Sequence, residues 1–434
     1  MKKYTIAVVG LWHLGEIYSA GLAELGHTVI GFDNDEKVVK NLQRGTPPLA
    51  EPGLMDLIKK HSQTKRLLFT ADFAELKKCD TVWLAFDTPV DERDQVDLAP
   101  LWSFFKSYVK VFKQHSLIVI SSQVPIGTCQ LFVDFIHQKR PELQFDVAYV
   151  PENLQLGQAI KSFFEPKRIV IGAATQMVIK KIAGIFKPLH TTILPMNIAS
   201  AELSKHALNA FLATSLSFIY DIADVAQAYG ADVVEVIRAL RSDERIGPGA
   251  YLDASIGFSG GTLARDLSAL IDKGRKAYVV LPVIAGVLEK NKKRRVLVVA
   301  SLREKLGDLR GKNIAVFGLT YKPGTPTLRR SLALEIIPLL LSAGAIVHAY
   351  DPAADRHEVE SAVSAEFFED PYECATGCQA VVVITNWPDF KRLNFKNLKS
   401  CLMPPYLFFD TRNFFCDQEK AIRTAGFIYM GIGR

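Results

Sequence analysis

The segment Thr5–Asp35, TIAVVGLWHLGEIYSAGLAELGHTVIGFDND, decides the fold of this chain. An apolar run, Thr5–Val9, is followed by a glycine turn, a helical pattern and a second apolar run that ends on Asp33. Gly10 permits a tight turn, and Gly15 permits close packing of the helix on the strand. The segment therefore predicts a strand, turn, helix and strand of the dinucleotide-binding type.

The chemistry of the turn favours one dinucleotide. The amide groups at the start of the helix, where Leu14 lies, suit a diphosphate. Asp33 follows Gly15 by 18 residues and is placed to bind a ribose diol, which favours NAD over NADP. Trp12 stands where such a turn has its middle glycine, so its indole must point outward or block the turn. A turn without a ligand is the alternative reading of this segment alone.

The same alternation of strands and helices occurs at both ends of the chain. Residues 198–229 contain no Gly or Pro and predict one long helix. We expect an α/β protein with two Rossmann-like, doubly wound parallel-sheet domains, residues 1–195 and 306–434, joined by a helical middle, residues 196–305. The predicted strands are Thr5–Val9, Thr28–Phe32, Thr81–Phe86, Ser116–Ser121, Asp146–Val150, Ile169–Gly172, Asn313–Leu319, Ile346–Tyr350, Ala380–Thr385 and Tyr406–Asp410.

Composition excludes several classes of protein. The net charge of +6 is spread along the chain, which argues against nucleic acid and suits a small anionic ligand. Six cysteines in 434 residues make no disulfide framework, and Cys374 and Cys378 are expected to be buried thiols rather than metal ligands. The start of the chain does not resemble a signal peptide, and apolar runs such as Ala277–Leu288 are too short to cross a membrane. We expect a cytoplasmic protein.

Several segments, taken in order, resemble the UDP-glucose/GDP-mannose dehydrogenase family, and the framework fits the UDP-glucose dehydrogenases best. The segments are Pro48–Leu54 (PLAEPGL), Asp87–Pro89 (DTP), Ser122–Thr128 (SQVPIGT), Pro151–Gly157 (PENLQLG), Arg168–Gly172 (RIVIG), Ala201–Asn209 (AELSKHALN), Asp243–Gly247 (DERIG), Gly257–Asp266 (GFSGGTLARD), Gly318–Pro323 (GLTYKP) and Asp410–Asn413 (DTRN). The resemblance implies an enzyme that oxidises the primary alcohol of a nucleotide sugar with NAD. It also implies a homodimer formed through the long helix.

The resemblance assigns roles to individual residues. Lys205 and Asn209 would contact the sugar and stabilise oxyanion charge, Asp266 would take the hydroxyl proton, and Glu152 would support them. His206 is expected to be a core or interface residue. The residues implied for NAD are Gly10, Trp12, Leu14, Gly15, Asp33, Thr88, Pro89 and Arg329. Those implied for the substrate are Tyr251, Gly257, Phe258, Lys322 and, from a neighbouring protomer, Arg245.

The chain departs from the family where the second half of the reaction takes place. Thr262 stands at the position of the cysteine nucleophile, and a threonine hydroxyl is far less acidic than a thiol. Gln123, Leu156 and Arg265 replace a threonine, a glutamate and a lysine of the family pattern. The departures predict chemistry that stops at an aldehyde or is redox-neutral.

Two other classes of function remain open. A non-catalytic nucleotide-sugar binder or regulatory homologue would keep the fold, although it would not need Lys205, Asn209 or Asp266. A two-domain NAD enzyme of the hydroxyacid type would share the first domain. The motifs within residues 318–331 argue against it.

Overall fold

The computed structural model of the chain describes residues 2–49, 51–89 and 96–434, so Ala50 of the segment Pro48–Leu54 lies outside the described residues. The chain divides into two units, Met1–Ala207 and Leu208–Arg434, and the division falls inside a long helix. The three-domain division expected from the sequence stays a prediction.

The first unit is built on one sheet with the strand order β3-β2-β1-β4-β5-β6-β7-β8. Apolar clusters cover both of its faces, as a doubly wound sheet requires. Its strands are β1 (Thr5–Val9), β2 (Thr28–Phe32), β3 (Leu67–Thr70), β4 (Thr81–Leu84), β5 (Ser116–Ile120), β6 (Phe145–Tyr149), β7 (Arg168–Ala173) and β8 (Thr192–Met196).

The prediction of a parallel sheet holds except between β6 and β7, which pair in antiparallel fashion. A strand that is buried on both faces looks the same in either direction, so its composition does not encode its direction. The sequence analysis missed β3, a four-residue strand, and β8, which contains Pro195, a residue that argues against a strand in a sequence pattern.

Helices and short turns connect these strands. The 3₁₀ turns are Phe73–Lys78, Val109–Val111 and Lys187–Leu189. The helices are α1 (His13–Glu24), α2 (Glu36–Gln43), α3 (Leu54–Gln63), α4 (Ala99–Tyr108), α5 (Thr128–Lys139), α6 (Ala159–Phe164), α7 (Gln176–Ile185) and the beginning of α8 (Ile198–Tyr229).

Helix α8 has the bounds that the sequence predicts. Asn197 precedes it and accepts a hydrogen bond from the Ser200 amide through Oδ1, at 2.8 Å. Gly230, at φ +69°, follows its last residue and adopts the left-handed conformation that ends many helices.

The second unit places helices before a second sheet. The helices are α9 (Val233–Ser242), α10 (Arg265–Lys276), α11 (Pro282–Lys293) and α12 (Val296–Leu306), and a π-helical turn, Gly260–Ala264, leads directly into α10. The strands pair in parallel in the order β11-β10-β9-β12-β13-β14. The strands are β9 (Asn313–Phe317), β10 (Ile346–Tyr350), β11 (Glu366–Phe368), β12 (Ala380–Val383), β13 (Leu407–Asp410) and β14 (Ile428–Met430).

Short helices complete this unit. They are α13 (Leu332–Ser342), α14 (Arg356–Ala362), α15 (Pro371–Ala375), α16 (Phe395–Cys401) and α17 (Glu419–Thr424), with a 3₁₀ turn at Pro388–Arg392. The sequence analysis missed β11 and β14, which are three residues long.

The described part of the chain contains no helix long and apolar enough to cross a membrane, and no group of three or more His, Cys, Asp or Glu side chains arranged to hold a metal ion. Cys374 and Cys378 are buried free thiols, as predicted. Burial raises the pKa of Cys378 to about 12, so this thiol stays protonated.

The first turn depends on two glycines. Gly10 has φ +88°, a conformation that favours glycine. A Cβ atom on Gly15 would lie 1.7 Å from the carbonyl oxygen of Gly10. Helix α1 therefore begins directly against the turn that follows β1, and no larger residue fits there.

Substitution G15A should lower the free energy of unfolding by several kcal/mol, because the added methyl group overlaps a backbone oxygen. G286A is the matched control, since Gly286 lies in α11 with nothing within 4 Å of the added Cβ. That variant should gain about 0.5–1 kcal/mol from the better helix propensity of alanine. Urea unfolding followed by circular dichroism measures both, and equal effects would contradict the steric argument.

Candidate active site

The dinucleotide turn lies at the amino end of α1. Trp12 is the N-cap residue of α1, and its side chain makes no capping hydrogen bond. Its indole is 50% exposed, so the side chain turns outward, as one of the two sequence readings required. Leu14 is buried in the core beneath the turn. The turn therefore keeps a glycine cradle at the positive end of a helix, which suits a diphosphate.

Asp33, which follows β2, is fixed by hydrogen bonds to backbone amides, one of them in the glycine turn. Its Oδ2 accepts a hydrogen bond from the Leu11 amide at 2.7 Å, and its Oδ1 accepts one from the Asp35 amide at 3.0 Å. The side chain is only half-buried, so it retains acceptor capacity for a ribose diol.

The second sheet contains a similar glycine turn, followed after the next strand by an aspartate, but this aspartate has a different role. Gly318 has φ +88° after β9, and Asp351 follows β10. Asp351 is buried, and its carboxylate is fully engaged. It accepts hydrogen bonds from the amides of Leu319, Thr320, Ala353 and Ala354, from the Thr320 hydroxyl and from the Trp387 indole. This aspartate stabilises its turn and leaves no acceptor for a ribose.

Thr88 and Pro89 lie in the segment after β4. The buried Thr88 hydroxyl donates to the carbonyl oxygen of Gln123 at 2.8 Å. Pro89 is exposed, and its carbonyl oxygen accepts from the Asp97 amide at 2.8 Å. The contact of Thr88 joins two loops at the carboxyl ends of neighbouring strands, where ligands of open α/β sheets bind.

Lys205 is paired with Glu152 inside the first unit. Its Nζ donates to the carbonyl oxygen of Glu152 at 2.7 Å and lies 3.3 Å from Oε1 of the same residue. The side chain of Lys205 is 9% exposed. Glu152 also accepts from the Leu154 amide through Oε2 at 2.9 Å. The ammonium group is thus held in place rather than solvated, unlike that of an ordinary lysine on a helix surface.

The sequence motif around Lys205 also contains two structural residues. Glu202 is buried and accepts from the amides of Gly127 and Cys129, at 2.6 and 2.8 Å, at the beginning of α5. His206 is buried, with Nε2 2.9 Å from the carbonyl oxygen of Val124, which confirms its expected place in the core. Nothing in the local sequence identifies the partners of Glu202, because they lie more than 70 residues earlier in the chain.

In the second unit, Asp266 is fully buried at the beginning of α10. Asn209 on α8 donates from Nδ2 to Oδ2 of Asp266 in a short hydrogen bond. The guanidinium Nε of Arg265 lies 3.9 Å from Oδ1. The structure therefore brings together two of the residues that the sequence singled out as catalytic.

A cavity of about 640 Å³ opens beside the π-helical turn. Its walls include Thr262 and four of the residues predicted for the substrate, namely Tyr251, Gly257, Phe258 and Lys322. Other lining residues were missed by the sequence analysis, and they include Tyr220, Asp253, Tyr321, Asn386, Arg412 and Phe414. Aromatic rings and cationic groups in one cavity suit a nucleotide, since rings stack on the base and cations attract phosphates.

Arg412 is the most informative of the missed residues. Its guanidinium donates from Nε to the carbonyl oxygen of Ile384 at 2.9 Å, and from Nη1 to that of Gly257 at 3.3 Å. These contacts fix the side chain in the cavity wall. The sequence analysis noted the segment Asp410–Asn413, which contains this arginine. It could not place the side chain in the cavity, because that position depends on the fold.

Two predicted ligand residues lie outside this cavity. Arg245 is exposed and pairs with Asp243, from Nη2 to Oδ2 at 2.7 Å. Arg329 is exposed and is not part of the cavity wall. One copy of the chain therefore does not bring these two side chains to the cavity, and their roles stay predictions.

The glycine turn, with spare acceptor capacity on Asp33 after β2, indicates an α/β protein that binds a dinucleotide. A second Rossmann-like sheet lies in a unit that has its own cavity. Matches to family models agree with that class. They are the NAD binding domain of the UDP-glucose/GDP-mannose dehydrogenase family over residues 4–190, its central domain over 199–293 and its UDP binding domain over 315–417.

Individual relatives match over almost their whole length. The UDP-glucose 6-dehydrogenase TuaD of Bacillus subtilis is 36% identical, with 100% of this chain and 94% of the relative covered. The UDP-glucose 6-dehydrogenase of Pseudomonas aeruginosa is 31% identical, with 99% and 97% covered. A UDP-glucose dehydrogenase structure from Pyrobaculum islandicum is 31% identical and superposes with a TM-score of 0.89, with 100% and 98% covered.

The chain belongs to the UDP-glucose/GDP-mannose dehydrogenase family. It is an NAD-dependent enzyme of that family, with a nucleotide sugar as its class of substrate. The turn described above fits this cofactor, because a side chain at Gly15 would occupy the cradle and Asp33 has acceptor capacity left.

Replacing Asp33 with asparagine should raise the affinity for NADP relative to NAD by about tenfold or more, because the carboxylate charge that repels a 2′-phosphate is removed. Isothermal titration calorimetry with both dinucleotides measures the ratio. Asp351→Asn is the matched control and should lose about 2–4 kcal/mol of unfolding free energy without changing the ratio. A D33N variant with the ratio of the parent protein would contradict the assignment of Asp33.

Proposed function

We propose that this chain oxidises the sugar of a UDP-sugar with NAD by a single hydride step, and that it does not carry the sugar on to the uronic acid. UDP-glucose is the first substrate to test. The observation that carries the proposal is Thr262, which stands on the π-helical turn in the cavity wall where the family has its cysteine nucleophile.

The residues for the first step are present. Asp266 would take the hydroxyl proton, and the amide of Asn209 orients its carboxylate through the hydrogen bond already formed. Lys205 would stabilise developing oxyanion charge, while Glu152 holds its ammonium group. NAD, when bound, accepts the hydride. Gly10, Gly15 and Asp33 would hold it, with Thr88 and Pro89 at the neighbouring strand end.

The second step lacks its nucleophile. Full oxidation in the family passes through a thiohemiacetal and a thioester, and a threonine hydroxyl needs a strong base before it can add to an aldehyde. The six cysteines of the chain are Cys79, Cys129, Cys374, Cys378, Cys401 and Cys416, and none belongs to the segment Gly257–Asp266. Gln123 and Leu156 stand where the family has groups that order the hydrolytic water. The aldehyde would therefore be released, or hydride would return to it in a redox-neutral reaction.

The cavity supports a uridine nucleotide. Lys322 and Arg412 supply positive charge for a diphosphate, and Tyr251, Tyr321 and Phe414 supply aromatic surface. Burial raises the pKa of Tyr251, so its phenol stays neutral and can donate a hydrogen bond.

Free thiols at all six cysteine positions favour a reducing compartment, and we place the protein in the cytoplasm.

The NADH formed per mole of UDP-glucose tests the proposal. With excess NAD, absorbance should show one equivalent, or no net change with a rearranged sugar in the products. Rapid formation of two equivalents would contradict it.

Asp266→Asn separates the enzyme from a non-catalytic binder, because it should abolish conversion while nucleotide-sugar binding persists. Unchanged conversion in this variant, for every sugar tested, would favour the binder.

Thr262→Cys should restore formation of the thioester with the sugar, but not the hydrolysis that releases the product. We expect a second equivalent of NADH per active site in a single burst, together with a thioester adduct in the intact-protein mass, because Gln123 and Leu156 still fail to order water. Thr262→Ser has the size of the cysteine variant without its acidity and should form no adduct. An adduct on the serine variant would show that thiol acidity is not what the parent chain lacks.

The outer face of α8 supports a homodimer, which the family resemblance implies. Phe211, Phe218 and Val225 are spaced by seven residues and are 69%, 48% and 57% exposed. Positions seven apart lie on one face of a helix, so these side chains form an apolar stripe. The occupant that we propose is the same stripe of a second copy. In such a dimer the exposed Arg245 would serve the neighbouring protomer.

Phe211→Glu combined with Phe218→Glu should convert a dimer into a monomer, because the charges would be buried against their own copies. Sedimentation velocity measures the mass. Met177→Glu is the control, since Met177 on α7 is 71% exposed and lies outside the stripe. A wild-type monomer, or a double variant that remains dimeric, would refute the assignment.

A further inference from the structure

Glu16 lies in the first turn of α1, immediately after the glycine cradle, and the roles described above do not use it. The residue is 0% exposed. Among the residues that the structure describes, neither carboxyl oxygen has a well-formed hydrogen bond. A buried carboxylate without a partner is costly, so the side chain must stay protonated or change its surroundings.

The charged groups that raise the pKa of Glu16, among the described residues, are two carboxylates. Burial is the main cause that raises its pKa to about 9, and the carboxylates of Asp87 and Glu51 add to it, while the backbone of Leu49 offsets part of the effect. Asp87 follows β4 and Glu51 precedes α3. At neutral pH the Glu16 side chain is therefore an uncharged acid.

The basic side chain closest to Glu16 in sequence, that of His13, is already engaged elsewhere. His13 donates from Nε2 to Oε1 of Glu51 at 2.8 Å. Glu51 also accepts from the amides of Gly157 and Ala159, at 2.6 and 3.1 Å. These contacts fix the position of the Glu51 side chain beside the turn.

Within residues 2–49, 51–89 and 96–434, the other elements packed against α1 bring no compensating charge to Glu16. Helix α6 presents the ring of Phe163, which lies 5.4 Å from the ring of Tyr18 between centroids. Strands β1 and β2 present apolar side chains to the same core. Lys60 and His61 of α3 bond to Glu24, which is eight residues further along α1, about 12 Å at the rise of a helix.

The position of Glu16 matters because the positive end of α1 is the feature that attracts a diphosphate. Side-chain charges in the first turn of a helix act directly on that end. A protonated Glu16 leaves the partial positive charge intact. An ionised Glu16 would cancel it, and would also add to the negative charge of Glu51 and Asp87 beside the bound anion.

We propose that Glu16 makes cofactor binding depend on a proton: the dinucleotide binds when this buried side chain is uncharged and is released when it ionises. The proposal rests on the placement of NAD at the Gly10 turn. By reciprocity, NAD binding draws a proton onto Glu16 at alkaline pH. The site would thus release its dinucleotide as pH rises, although the residues that contact the ligand would keep their protonation state.

The test is the affinity for NAD from pH 7 to pH 10, measured by calorimetry on the full chain. The parent protein should lose affinity above pH 9, approaching tenfold for each pH unit. Glu16→Gln keeps the shape of the side chain without the charge and should show a flat profile. Glu24→Gln, on the same helix but paired with Lys60 and His61 away from the turn, should follow the parent profile.

Proton uptake gives a second measurement that needs no variant. At pH 9, titrations of the parent protein with NAD in buffers of different ionisation enthalpy should show uptake of a fraction of a proton. Parallel profiles for the parent and E16Q, or binding without uptake, would overturn the proposal. A failure of the parent protein to bind NAD at pH 7 would instead refute the placement of the cofactor at this turn.

Discussion

The approach of α1 to the carbonyl of Gly10 is the constraint on which the first unit depends. The space that a single Cβ would fill at Gly15 is taken by a backbone oxygen, so the helix begins directly on the turn and packs along β1 and β2. This places the positive end of α1 at the carboxyl edge of the sheet. Trp12 does not disturb the arrangement because its side chain leaves the turn toward solvent.

The two Rossmann-like sheets contain similar glycine turns whose aspartates differ in burial and hydrogen bonding. Gly10 and Gly318 share the same φ angle, and each turn donates an amide to an aspartate at the end of the next strand. Asp33 is half-buried and keeps acceptor capacity, whereas Asp351 is saturated by six donors. Burial and hydrogen-bond saturation, rather than residue type, separate the turn proposed to hold NAD from the structural one.

The second unit places a buried aspartate close after an irregular helical turn. Asp266 and Asn209 are joined inside the protein, and the π-helical turn before them carries a threonine in the cavity wall. Irregular helical turns of this kind occur often at functional sites because they direct a side chain that an α-helix would point elsewhere. The proposed restriction to one hydride step rests on this threonine, because its hydroxyl is far less acidic than a thiol.

The sequence by itself determined the alternating α/β plan, the bounds of α8, the dinucleotide turn and the family, because glycine spacing and hydrophobic period are local properties. It did not determine the reversal between β6 and β7, since a strand buried on both faces has no directional pattern. Tertiary structure alone decided the partners of Glu202, the place of Arg412 in the cavity wall and the burial of Glu16. Each depends on contacts between residues far apart in the chain, where burial and neighbouring groups, not residue type, set the chemistry.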